Sequence, residues 1–151
     1  VEMIREDGPL LGKFLLRGEI IIKNILSWDE FNNKMNNIFG KSFRVVDELY
    51  FNIEKEINIG ERRILDDYQV LKYLQELHEI EGPVYVITDL CYEKKYGGAF
   101  FVEANSIAEF VQTYKNKFGE AFYSTDIIII SFEKKLIWVF HHEGVCWLSK
   151  G

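Results

Sequence analysis

The sequence predicts an α+β domain in which about three helices pack on a mostly antiparallel sheet. Three observations lead there: capped amphipathic helix patterns, short apolar runs separated by polar turns, and an internal likeness between two stretches. The 151 residues are 48% apolar and 15% aromatic, enough for a buried core. With two prolines and no compositionally biased stretch, residues 1–151 read as a single domain.

Residues 1–9 are polar, contain Gly8-Pro9, and are expected to form a loose terminus. The run LLGKFLLRGEIIIKNI at 10–25 predicts two short strands turning at Arg17-Gly18. In SWDEFNNKMNNIFG, Ser27 is an N-cap and Glu30 stands three residues on, a capping box. Trp28, Phe31, Met35, Ile38 and Phe39 recur at helical spacing and Gly40 is a C-terminal stop, so a helix is expected over 28–39. Residues 45–53 fit two patterns. Val45, Val46, Leu49 and Ile53 make a helical stripe, whereas Val45, Leu49, Phe51 and Ile53 alternate as one strand face.

A helix over 61–81 follows from the stripe Ile64, Tyr68, Leu71, Leu74 and Leu77, ended by Gly82-Pro83. PVYVITDL then reads as a strand, CYEKKYGG as a polar turn and AFFVEA as a returning strand. Ser106 and Glu109 repeat the capping-box pattern. Ile107, Phe110, Val111, Tyr114 and Phe118 form the inner face of that helix, and Gly119 closes it. Apolar strands follow at Ile127–Ile130 and Leu136–Phe140, then a His141-His142-Glu143-Gly144 turn and a last strand ending near Leu148.

Laying Ser27 on Ser106 aligns the two helical segments without gaps. Glu30 meets Glu109, Phe31 meets Phe110, Gly40 meets Gly119 and Phe43 meets Phe122. Beyond the helix Asp47 meets Asp126 and Glu54-Lys55 meets Glu133-Lys134. This predicts a duplicated ββαββ unit, roughly 10–59 and 83–148, joined by the 61–81 helix. It also makes VDELYFNI a strand, the counterpart of TDIIIISF. The second copy is apolar at nearly every strand position, as in central strands buried on both faces. The first is half polar, which suits an exposed or edge position.

Net charge is −6, which argues against binding duplex nucleic acid and favours a partner with a basic surface. No apolar run has the length of a membrane span, so no membrane association is expected. Two cysteines are too few for a disulfide framework and point to a reduced, cytoplasmic setting.

His141-His142-Glu143 is the most suggestive cluster for chemistry. Neighbouring strand residues point to opposite faces, so these two histidines are not expected to share a metal unless the turn intervenes. The commoner reading is a hairpin turn with hydrogen-bonded or solvated histidines. Cys146, between Val145 and Trp147, reads as an inert core thiol; Cys91 lies in a polar turn and is expected to be more exposed. Asp89, Glu103 and Asp126 fall near strand ends and offer the one candidate convergence of carboxylates. With no glycine-rich phosphate loop, hydrolase elbow or metal-ligand spacing, the expectation is a non-enzyme without a cofactor.

The acidic excess lies before residue 83. There Asp47, Glu48, Tyr50, Glu54, Asp66, Asp67 and Tyr73 read as one acidic, tyrosine-bearing binding surface. The stretch IIIKNILSWDEFNNKMNNIFGKSFRVVDELY resembles the opening of barstar-type nuclease inhibitors: a strand, a Ser-capped helix and an Asp-containing segment that meets the toxin. The resemblance covers the first third of the chain, makes 45–53 helical, and places Asp47-Glu48-Leu49-Tyr50 where that family carries its contact residues. More broadly, the chain is similar in kind to bacterial immunity proteins, including those of contact-dependent inhibition systems. The resemblance implies an inhibitor that neutralises a nuclease-type toxin by covering its active site. The alternatives are a small metal-binding or hydrolytic enzyme using His141, His142, Glu143 and Asp126, and an adaptor domain with a β-edge partner.

Overall fold

A computed structural model describes residues 25–60 and 66–151. The strands expected within 10–24, and the first residues of the helix expected over 61–81, lie outside the described residues. The elements are β1 (Ile25–Ser27), α1 (Trp28–Phe39), β2 (Ile53–Asn58), α2 (Asp67–Leu77), β3 (Pro83–Ile87), β4 (Gly98–Glu103), α3 (Ile107–Phe118), β5 (Ile127–Ser131), β6 (Leu136–His141) and β7 (Val145–Lys150). Among the described residues the strands form one seven-stranded sheet in the order β1-β4-β3-β5-β6-β7-β2, with every pairing antiparallel. The fold class is therefore α+β.

The central strands show why the last third of the chain is so apolar. Ile127 and Ile129 of β5, with Trp138 and Phe140 of β6, pack into a cluster with Leu71, Leu74 and Leu77 of α2 and Val111 of α3. Ile128, Ile130, Ile137 and Val139 alternate to the opposite face, where they meet Phe31 and Met35 of α1 and Leu49. The sheet is thus covered on both sides, which is what a continuous apolar strand requires. At about 25 cal/mol per Å² of apolar area, each such fully buried side chain contributes about 1.5–3 kcal/mol.

Helix α1 has the expected bounds. Ser27 Oγ accepts the Glu30 N–H at 3.2 Å. Gly40, at φ 79°, ends the helix in the left-handed conformation while its N–H donates to the Asn36 carbonyl. Helix α3 has the expected length but not the expected cap. Residues Ala104–Ser106 form a 3-10 turn that leads straight into it, and the Ser106 side chain makes no capping bond.

Helix α2 stops at Leu77, four residues short of the expectation, because other partners take the backbone beyond it. The Ile80 N–H donates to the Gln75 side chain at 2.8 Å, and Trp138 Nε1 donates to the His78 carbonyl at 2.9 Å. Its start is set by Asp66 and Gln69, whose side chains cap each other's backbone N–H.

The largest correction concerns 45–53. Val46–Leu49 is a 3-10 helix and the strand begins only at Ile53. Leu49 is fully buried, and its carbonyl accepts Trp147 Nε1 at 3.2 Å and Ser149 Oγ at 2.9 Å. This plug from β7 holds the segment off the sheet, so it cannot run as a strand. The two helical segments match at the repeat offset, down to their left-handed glycines. The duplicated ββαββ unit is not confirmed beyond them: among the described residues β2 pairs with β7 alone, at an end of the sheet, whereas β5 lies between β3 and β6. Among the described residues β2 takes the edge position foreseen for the half-polar segment, and a register shift between Ile53 and Lys55 interrupts its ladder. Among the described residues no helix is long and apolar enough to cross a membrane.

Candidate functional site

The site grows out of the turn between β6 and β7. Strand β6 ends at His141, which pairs with Val145, and residues 142–144 make the connection. Gly144 adopts φ 87° and its N–H closes the turn onto the His141 carbonyl at 2.8 Å. The Gly144 carbonyl in turn accepts Ile59 and Gly60 N–H at 2.7 and 3.1 Å, so the turn is clamped to the end of β2. A Cβ at Gly144 would lie 2.8 Å from the Gly60 carbonyl oxygen, which is why this close approach needs glycine.

This clamp places His142 outside the strand alternation, and the expectation that the two histidines face opposite ways fails. Their rings stack at 4.3 Å between centroids with 27° between planes. Asp126 Oδ1, at the entry to β5, meets both the backbone N–H and ring Nδ1 of His142, at 2.7 and 2.8 Å. His141 packs near Trp147, receives the Glu143 N–H on Nδ1 at 3.2 Å, and directs Nε2 towards Asp47 Oδ1 at 3.3 Å. Asp47 and Asp126, the acidic pair matched in the repeat, therefore finish one on each histidine. Glu143 is more remote, its Oε2 4.0 Å from His142 Nε2. The Asp126 hydrogen bond and charge raise the His142 pKa above its ordinary value; desolvation opposes this, and Glu143 and Asp47 add smaller attractions. Asp126, His141 and His142 each offer a ligand atom within 4.8 Å of the others.

On the other side of His142 a recess of about 260 Å³ is lined by Gly60, Asp67, Tyr123, Phe140 and Glu143 among others. Asp67 is here, and not on the acidic surface predicted for it. Its carboxylate turns inward and accepts the N–H groups of Phe122 and Tyr123 at 2.9 and 3.1 Å.

The remaining predicted contact residues do not form one surface. Asp47, Glu48, Tyr50 and Glu54 lie on the 3-10 helix and β2, whose Leu49 packs into the α1-side cluster. Asp66 and Tyr73 belong to α2 on the opposite face of the sheet, where Tyr73 packs partly against the core. The first group stays together and is exposed. The Asp47 side chain is 79% accessible and Tyr50 is 53% accessible. Tyr50 stands edge-on to Trp147 at 5.0 Å and donates its hydroxyl to Glu56 at 2.7 Å. That bond and the Glu56 charge push the phenol above its usual pKa. Glu48 accepts the Arg44 N–H at 2.8 Å, and Glu54 stands 3.6 Å from Lys150. Sequence reading missed Glu56; once Ile53–Asn58 is a strand, its register opposite Trp147 puts it beside Tyr50.

The other candidates separate. Asp89 and Asp126 lie at the same end of the sheet, since Ile87 pairs with Ile128, but Glu103 pairs with Pro83 at the opposite end. Cys91 is fully buried, contrary to expectation, because a 3-10 turn over Asp89–Tyr92 folds it under the sheet, with the Thr88 N–H donating to its sulfur. Burial pushes the Cys91 thiol up to about 11 and the Cys146 thiol up to about 12, so neither is a ready nucleophile at neutral pH. Both are free. No family model, curated protein or solved structure matches this chain.

Proposed function

We propose that this protein is an acidic protein-binding inhibitor, an immunity protein that neutralises a cognate bacterial toxin of nuclease type by covering its active site. The supporting observation is the exposed group Asp47, Glu48, Tyr50, Glu54 and Glu56, carried on a 3-10 helix and the strand that ends the described sheet. A nuclease site binds phosphates with Lys and Arg, so an exposed group of carboxylates suits it, with steering by the net charge of −6. Tyr50 supplies the large amphipathic side chain typical of an interface anchor. Its hydrogen bond to Glu56 and its packing on Trp147 fix it before any partner arrives.

The test is affinity capture from the native cell with the tagged full-length chain, beside an Asp47→Lys, Glu48→Lys, Tyr50→Ala variant. The expected capture is a toxin enzyme whose nuclease activity the wild type suppresses. The variant should bind at least 100-fold more weakly, and the wild-type association rate should fall steeply with salt. Equal capture by the variant, or a captured protein without toxin activity, would sink the reading.

A further inference from the structure

We propose that His141, His142 and Asp126 form a binding site for a divalent transition-metal ion of the Zn²⁺ class, with Asp47 orienting the His141 ring. Three donor atoms from these side chains already lie within 4.8 Å of one another. Around a single ion with bonds of 2.0–2.1 Å, ligand atoms stand about 3.0–3.4 Å apart. The Asp126 Oδ1 to His142 Nδ1 separation of 2.8 Å therefore needs to open by only a few tenths of an ångström. The His142 side chain is 55% accessible, so its ring has room to swing about χ1. His141 is better held, at 14% side-chain accessibility between Trp147 and the His142 ring.

The backbone beneath the donors is rigid. His141 ends a central strand, Asp126 opens the strand beside it, and Ile127 pairs with Phe140 between them. The turn carrying His142 is clamped to β2 through Gly144. These are supports that a site needs if its ligands are to stay near their productive positions. Asp47 Oδ1 stands 3.3 Å from His141 Nε2, the carboxylate–imidazole arrangement that orients metal-bound histidines, so the donor is Nδ1, which exchanges the Glu143 N–H at 3.2 Å for the ion.

The donor set decides the class of ion. Two imidazoles and a carboxylate favour zinc, cobalt, nickel or iron over magnesium and calcium, which prefer oxygen alone. Asp47, Asp126 and Glu143 surround two imidazoles, so the local charge favours a dication. With three protein ligands, at least one coordination position is left for water or an exogenous donor. This reading does not rest on the proposed immunity role; of that role's contacts Asp47, Glu48, Tyr50, Glu54 and Glu56, it shares Asp47.

The probe is ZnCl₂ titrated calorimetrically into chelator-treated full-length protein, with CoCl₂ as the spectroscopic analogue. One equivalent of Zn²⁺ is expected to bind. His142→Gln and Asp126→Asn should each weaken binding at least tenfold, Asp47→Asn by about tenfold, and Glu54→Gln not at all. Cobalt should give visible d–d bands without sulfur charge transfer. In the wild type, NMR should show Zn²⁺ moving the ring signals of His141 and His142 but not of His78, a readout independent of whether any variant folds. No saturable binding, binding that survives His142→Gln, Asp126→Asn and Asp47→Asn alike, or thiolate charge transfer would overturn the proposal.

Discussion

Asp126 and His142 are joined twice through one oxygen, Oδ1 taking the backbone N–H at 2.7 Å and ring Nδ1 at 2.8 Å. The first bond holds the turn whatever the pH; the second strengthens when the imidazole is protonated. In the metal-free protein the folded-state His142 pKa is raised, chiefly by this bond and the Asp126 charge. A raised pKa stabilises the fold fully below the unfolded value of about 6.5, and the contribution is lost as pH rises through the folded value. The stability gap between wild type and Asp126→Asn should therefore be largest at about pH 5–6 and narrow towards pH 8–9. Urea midpoints in the presence of a chelator measure it. A gap that widens with rising pH would contradict the pairing.

Asp67 stands beside Asp66 in the sequence but does different work. Asp66 caps α2 at the surface, accepting the Gln69 N–H at 2.8 Å. Asp67 ties the start of the same helix to Phe122 and Tyr123, more than fifty residues away, through two bonds in a buried setting. Replacing Asp66 by Ala should cost about 1 kcal/mol, the usual value of an N-cap. Asp67→Ala leaves two N–H groups without their partner and should cost about 2–6 kcal/mol, at 1–3 for each buried unsatisfied group. Denaturant unfolding of the two variants decides it, and equal losses would show that Asp67 is as solvated as its neighbour.

Local signals carried the parts of the fold that local physics determines. Ser27, Glu30 and Gly40 bracket α1 because caps act within a few residues, and the glycine stop of α3 was equally plain. The β5 and β6 strands were legible because burial on both faces makes Ile127–Ile130 and Leu136–Phe140 continuous apolar runs. What failed depends on contacts distant in the chain. Val46–Leu49 becomes a 3-10 helix because Trp147 and Ser149 take the Leu49 carbonyl from almost a hundred residues away. Asp67 looked like its exposed neighbour until Phe122 and Tyr123 supplied its partners. The histidine pair was found, but strand alternation argued it apart. Only the clamp of Gly144 onto Ile59 and Gly60 shows where alternation ends.

Tyr123 and Tyr114 are both buried near Phe122, yet the two hydroxyls should respond oppositely to removal. The Tyr114 hydroxyl donates to Thr88 Oγ1 at 3.4 Å, and Thr88 is itself buried. The Tyr123 hydroxyl has no hydrogen-bond partner among the described residues, and burial, with Asp67 and Cys146 adding to it, raises its pKa well above the ordinary value. A neutral hydroxyl desolvated without a partner costs about 1–3 kcal/mol, while a made bond contributes about 0.5–1.5. Tyr123→Phe keeps the ring contacts with Phe122 and Phe140 and removes only the desolvated oxygen. It should raise stability by about 1 kcal/mol, whereas Tyr114→Phe should lower it by a similar amount. Urea denaturation of the two single variants measures both signs. A loss above about 1 kcal/mol in Tyr123→Phe would mean that an ordered water in the recess serves the hydroxyl, since such waters are costly to remove.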